Sequence, residues 1–215
     1  MDSSALSLLH CPNSHSLASI RISFFYFILI TSTLICSATG TRDLARKSET
    51  NTSEFITNSC GTTLYSKLCI ETLSPYSNSI QTNPKELANA ALTVSLKGAK
   101  STTNKISKMS KEQDLGLAET HALTDCVENM EDSVVELQKS LLEMKNLNGP
   151  DFEEKMGNVM TWVSAALTDE DTCMDGFEGN GNMNEKVRAT IRNYIVNVAQ
   201  LTSNALALTK NLSSS

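Results

Sequence analysis

Residues 152–177 read FEEKMGNVMTWVSAALTDEDTCMDGF. Phe152, Met156, Val159, Val163, Ala166, Cys173 and Phe177 recur at steps of four and three, or at their sum. That spacing keeps one stripe of a helix turned toward a neighbour. The stretch is framed by breakers: Asn148-Gly149-Pro150 ahead of it and Gly179-Asn180-Gly181-Asn182 behind it. Asp151 with Glu154 reads as a helix-start signal.

The same period continues on both sides. From about Asp114 to Lys145 the apolar positions are Leu123, Val127, Met130, Val134, Leu137, Leu141 and Met144. After the second breaker they are Val187, Ile191, Tyr194, Val198, Leu201, Ala205, Leu208 and Leu212. An earlier helix opens on Asn83 as N-cap, with Pro84 at its first position and Glu86 completing a capping box. It carries Leu87, Ala91, Val94, Gly98, Thr102, Ile106 and Met109. Short connectors force successive helices to run antiparallel. The predicted fold is therefore all-α, an up-down-up-down four-helix bundle over residues 83–212. Residues 54–82 precede it as a small helical hairpin containing Phe55, Ile56, Leu64, Leu68 and Leu73, broken at Gly61.

Ahead of the hairpin lies the one long apolar run, ISFFYFILITSTLIC at residues 22–36, preceded by Arg21 and followed by small residues. Residues 1–38 read as a secretory signal peptide, and residues 39–53 as a flexible polar leader. Cleavage would remove Cys11 and Cys36 and leave Cys60, Cys69, Cys126 and Cys173 for an oxidising compartment, which predicts two disulfides. Four cysteines allow three connectivities, and composition does not choose among them. Bundle geometry does: the turn between the second and third bundle helices centres near Asn148, with Cys126 22 residues before it and Cys173 25 after. In an antiparallel pair these fall at nearly equal height. The expected pairs are Cys126–Cys173 across the helices and Cys60–Cys69 within the hairpin. Asn51-Thr52-Ser53 and Asn211-Leu212-Ser213 are glycosylation sequons in the expected mature chain.

The formal net charge is −6, and removing residues 1–38 does not change it, because Asp2 and Arg21 cancel. Such a balance argues against nucleic acid, and no further span implies a membrane once the signal is gone. The chain offers little for catalysis. His121 is the single histidine of the mature chain and has no partners for a zinc site. Glu128, Glu131, Asp132 and Glu136 on the second bundle helix, and Asp169, Glu170, Asp171 and Asp175 on the third, read as solvated faces. Lys97, Lys100, Lys105, Lys108 and Lys111 read as loose partners of those acids. No catalytic residue, metal or cofactor is expected.

The stretch Thr161-Trp162-Val163-Ser164-Ala165-Ala166-Leu167-Thr168, running on through Asp169-Glu170-Asp171-Thr172-Cys173-Met174-Asp175-Gly176-Phe177, closely resembles the third bundle helix of plant pectin methylesterase inhibitors. It also resembles the pro-regions fused to some pectin methylesterases. The spacing Cys60-x8-Cys69 and the run Ala122-Leu123-Thr124-Asp125-Cys126 are similar to that family too. The resemblance spans roughly residues 54–212. It implies the same fold and disulfide pairs, secretion to the cell wall, and a pectin methylesterase as partner. It implies one-to-one binding over the enzyme's pectin-binding cleft, with no catalytic group from the inhibitor. The alternative is the sister group that inhibits acid invertase. Many of those proteins carry Pro-Lys-Phe where this chain has Pro150-Asp151-Phe152, a reversal of charge that favours the esterase side, as does Trp162-Val163-Ser164-Ala165-Ala166-Leu167.

One helix also suggests a binding face. With Phe152, Met156, Val159, Val163 and Ala166 turned inward, the outward positions are Gly157, Asn158, Thr161, Ser164, Ala165 and Thr168, none of them charged. Outward positions of the preceding helix include Asp125, Glu128, Asp132, Glu136 and Lys139. A partner lying on the neutral face would take hydrogen bonds from Thr161, Ser164 and Thr168, with Ala165 allowing close approach. The competing expectation is that the hairpin, or residues 74–82, covers this face instead; the outward apolar Val196, Ala199 and Leu206 of the fourth helix are the other candidate seat for the hairpin.

Overall fold

The computed structural model describes residues 49–112, 114–178 and 183–213. The expected signal peptide, the expected leader up to residue 48 and residues 179–182, where a turn was expected, lie outside these described residues. Residues 49–60 form helix α1, and Ser66–Leu73 forms α2. A single 3-10 turn, Ser74–Tyr76, and a short helix α3, Ser77–Ile80, lead into the bundle. The bundle helices are α4 (Pro84–Met109), α5 (Leu117–Lys145), α6 (Phe152–Asp175) and α7 (Glu185–Ser213). No described helix is long and apolar enough to cross a membrane.

The bundle closes as a square: α4 packs on α5 and α7, and α6 packs on the same two helices. Each helix turns its four-three stripe inward. Leu92, Ala99 and Ile106 of α4, Leu123, Met130 and Leu137 of α5, Val159, Val163 and Ala166 of α6, and Ile191, Ile195 and Ala205 of α7 are fully buried. The α7 stripe runs through Ile195 rather than the expected Tyr194, which is half-buried beneath Lys105, 4.7 Å from its ring centroid. Small residues bring helices close. A Cβ placed on Gly98 of α4 would lie 3.1 Å from Leu201 Cδ1 of α7, so only glycine fits that crossing without displacing Leu201.

The helix ends follow local chemistry, with two departures from expectation. Asn83 Oδ1 accepts the N–H groups of Lys85 (2.9 Å) and Glu86 (3.4 Å), two donors that the first turn leaves without intrahelical partners. Asn83→Ala should therefore lower stability by about 1 kcal/mol, seen as a melting shift of about 2–4 °C. Asp151, by contrast, makes no side-chain cap at α6; its carboxylate faces Lys155 at 3.7 Å instead. α5 starts at Leu117 rather than Asp114, because Glu119 reaches back 2.6 Å to the Gly116 N–H and fixes the start there. Gly149 turns the chain between α5 and α6 at φ 100°, a conformation that residues with a Cβ rarely adopt.

Disulfides join Cys60 to Cys69, with Cα atoms 5.6 Å apart, and Cys126 to Cys173, with Cα atoms 4.4 Å apart. The hairpin differs from expectation at its start. Residues 49–53, read from sequence as part of a flexible leader, belong to α1, and Thr52 is buried there. Helix α2 lies on α4 and α7, and α3 on α4. Asn204 of α7 holds the hairpin by both backbone groups of Tyr65, accepting its N–H (3.2 Å) and donating to its C=O (3.0 Å). α2 and α3 thus sit on the α4–α7 side of the square, away from the outer face of α6.

Candidate interaction face and the buried carboxyl behind it

The outer face of α6 is open to solvent among the described residues. Gly157, Thr161, Ser164 and Thr168 are exposed, while Asn158, Trp162 and Ala165 are half-buried. A Cβ on Gly157 would meet nothing within 4 Å. The hydroxyls are not all arranged as expected. Thr161 Oγ1 donates to Gly157 C=O (2.8 Å) and Thr168 Oγ1 to Ser164 C=O (3.0 Å), so both protons are spent inside the helix. These two threonines face outward as acceptors, and a partner must bring N–H or O–H donors to them. Of the three hydroxyls, that of Ser164 has no hydrogen bond among the described residues and can donate.

An acidic shoulder flanks the face. Asp169 on α6 lies near Asp132 and Glu136 on α5, and its carboxyl is held above the usual carboxylate range, first by burial and then by those two like charges. The α4 lysines do not neutralise these acids: none of the ion pairs among the described residues joins α4 to α5. Lys97 instead donates to Tyr76 Oη at 2.9 Å. His121 is exposed, and no described group of His, Cys, Asp and Glu is placed to hold a metal ion.

Behind the face lies a residue that sequence reasoning misplaced. Glu170, expected on a solvated surface, is fully buried. Its Oε1 accepts Ser133 Oγ of α5 (2.9 Å) and Thr202 Oγ1 of α7 (2.9 Å), and Thr202 in turn meets Ser95 Oγ of α4 at 2.7 Å. One carboxyl therefore links all four bundle helices. Burial pushes its pKa up to about 8, against the lowering effect of the Ser133 and Thr202 hydrogen bonds, and Asp171 and Asp169 add to the rise. Oε2 is buried and has no hydrogen-bond partner among the described residues, which adds to the cost of ionising the group there. The signal was present in the sequence: position 170 falls four residues after Ala166 and three before Cys173, on the buried stripe. A charged residue type concealed it.

Glu119 is the second carboxylate whose role the sequence did not reveal. Besides capping α5, it accepts the Asn184 N–H at 2.6 Å and so ties the start of α7 to the start of α5. The Asn184 backbone bond, then the Gly116 bond, hold its carboxyl below the usual range. Residue separation hides this contact, since nothing local to Glu119 points to Asn184.

The expected glycosylation residues Asn51 and Asn211 are both exposed, on α1 and α7 respectively. Asn211 Nδ2 donates to Thr62 Oγ1 across the hairpin at 2.8 Å.

Comparison with known proteins places this arrangement. The family profile described as plant invertase/pectin methylesterase inhibitor matches residues 54–208. A carrot (Daucus carota) protein named 21 kDa protein is 46% identical over 78% of this chain and 88% of its own length. Pectinesterase inhibitor 9 of Arabidopsis thaliana is 43% identical over 88% of this chain and 93% of its own length. Among solved structures, a mutant form of a pectin methylesterase inhibitor from Arabidopsis superposes with a TM-score of 0.56, covering 70% of this chain and 92% of that one at 20% identity, a likeness of fold.

Proposed function

Because the chain belongs to the plant invertase/pectin methylesterase inhibitor family, we propose that it is a secreted, non-enzymatic inhibitor of pectin methylesterase in the cell wall. Relatives that match along most of their length, such as pectinesterase inhibitor 9 and pectinesterase inhibitor 11 of Arabidopsis thaliana, carry the esterase side of the family in their names. The absence of a cation at Asp151, where many invertase inhibitors have Lys, agrees with that choice.

The observation that carries the mechanism is the uncharged outer face of α6, which no described residue covers. Small neutral residues shed their water at little cost and let a partner's backbone approach. The Cys126–Cys173 bond and the Glu170 hydrogen bonds brace α6 from behind. A face already ordered loses less entropy on binding. In this reading one inhibitor lies along one enzyme molecule through Thr161, Ser164, Ala165 and Thr168, and covers the cleft that pectin would enter. The net charge of −6 disfavours the anionic polymer itself and directs binding to the enzyme's protein surface.

The deciding experiment is titration of the purified protein against pectin methylesterase and acid invertase side by side. Inhibition of invertase alone would reject the esterase reading. Within the complex, Thr161→Arg or Ser164→Arg should weaken esterase inhibition tenfold or more, about 1.4 kcal/mol, with circular dichroism and melting unchanged. Full inhibition by both variants would move the interface elsewhere.

A further inference from the structure

A cavity of about 420 Å³ opens between the hairpin and the end of the bundle where α4 starts and α7 finishes. Its lining combines apolar Phe55, Leu87, Leu208 and Leu212 with polar Asn58, Ser59, Thr62 and Asn211, and of these Leu87 and Leu208 are buried while Asn58, Thr62 and Asn211 are exposed. The volume lies within the roughly 300–1,000 Å³ of sites that hold small organic groups. Asn211 opens the sequon Asn211-Leu212-Ser213; the residue is exposed, and its Nδ2, the atom that would be modified, donates to Thr62 Oγ1 at 2.8 Å beside the cavity. A pyranose ring presents a flat C–H face and a hydroxyl edge. The cavity offers the converse, an aromatic ring and aliphatic side chains together with amide and hydroxyl groups.

We infer that Asn211 carries an N-linked glycan whose first sugar is seated in this cavity, against Phe55 and beside Asn58 and Thr62. The inference rests on the secretory reading above, because the sugar is added during entry to that route. In the transfer, Asn211 Nδ2 bonds to the anomeric carbon of a lipid-diphosphate-linked oligosaccharide. The bond from that carbon to the diphosphate oxygen breaks, one amide proton is released, and the lipid diphosphate departs. The second amide hydrogen stays, so Nδ2 keeps one donor. Asn51 provides the internal comparison: it is an exposed sequon asparagine on α1 that does not line the cavity.

The test uses the full chain carrying Asn51→Gln, so that Asn211 is the only sequon, expressed in a yeast that secretes high-mannose glycoproteins. Endoglycosidase trimming then leaves a single N-acetylglucosamine. Peptide mapping should find that sugar on Asn211. Proton NMR should show cross-relaxation between the sugar ring and the Phe55 ring. The melting midpoint should exceed, by several degrees, that of the same variant made without sugar in bacteria and oxidised. Secreted protein with Asn211 unmodified would overturn the inference while leaving secretion intact. So would a modified Asn211 with no Phe55 contact and an unchanged midpoint. Retention in the cell with residues 1–38 still attached would overturn the secretory reading first, and this inference with it.

Discussion

The melting midpoint of the bundle is expected to fall steadily as pH rises from about 4.5 to about 8, and Glu170→Gln is expected to remove most of that slope. The sign follows from linkage. In the unfolded chain the carboxyl ionises near 4.5, whereas in the folded bundle burial holds the proton on to about 8. Between those values the native state binds more protons than the unfolded state, so each pH unit removes stability, by about 1.4 kcal/mol. Below 4.5 the contribution is fully present, and above 8 it is gone. The total is about 5 kcal/mol, and each pH unit corresponds to a midpoint shift of about 3–5 °C.

The physical origin is the partition of hydrogen bonds around one side chain. A neutral acid at position 170 satisfies Ser133 and Thr202 through Oε1 and leaves only Oε2 without a partner. The ionised form would leave a charge in the middle of the bundle, with no cation among its described contacts and with Asp169 and Asp171 on its own helix. Gln keeps the carbonyl acceptor and cannot ionise. At pH 5 the two proteins should melt within a few degrees of each other, and at pH 8 the Gln variant should melt well above the parent. Glu119 works in the opposite direction: its lowered carboxyl contributes stability above 4.5 that is lost as pH falls through the folded value. Asp169 acts in the same direction as Glu170. Measuring the difference between parent and Glu170→Gln cancels the Glu119 contribution and leaves of Asp169 only the part coupled to Glu170. Parallel melting curves for the two proteins across this range would show that the carboxyl ionises without resistance.

The contrast between Glu170 and the cysteines shows what a sequence discloses about such a molecule. Helices, their order and the height match between Cys126 and Cys173 follow from periodicity and connector length, which are local quantities. Glu170 obeys the same periodicity, but a carboxylate on a buried stripe reads as surface unless its hydroxyl partners are known. Ser133 and Thr202 lie 37 and 32 residues away, on other helices. The α6 face was legible because it lacks charge. The direction of its hydrogen bonds was not, since Thr161 and Thr168 settle that with their own backbone. The helical residues 49–53 of α1 were missed for a similar reason: polar residues there include the buried Thr52, which no apolar stripe announces.

Loss of the cross-helix disulfide is expected to be nearly as damaging. Cys126 and Cys173 are both about 1% exposed and are separated by 47 residues. A loop of that length gives about 4 kcal/mol in the chain-entropy treatment. Cys126→Ser should lower stability by about 2–4 kcal/mol, since a relaxed native state recovers part of the loss, and the midpoint by about 5–15 °C. The α5–α6 contact would still be held by Ser133 with Glu170 and by Ser140 Oγ with Val159 C=O at 3.5 Å, so the helices should form but open more readily at the Cys126 end. Glu170 lies one turn of α6 from Cys173. Opening there admits water to the buried carboxyl and lowers the resistance to its ionisation. The two effects are therefore coupled. In a Cys126→Ser background the advantage of Glu170→Gln at pH 8 should shrink, as read from a double-mutant cycle. Strict additivity would mean that the disulfide does not seal the carboxyl, and an unchanged midpoint for Cys126→Ser alone would mean that the bond contributes no constraint to the bundle.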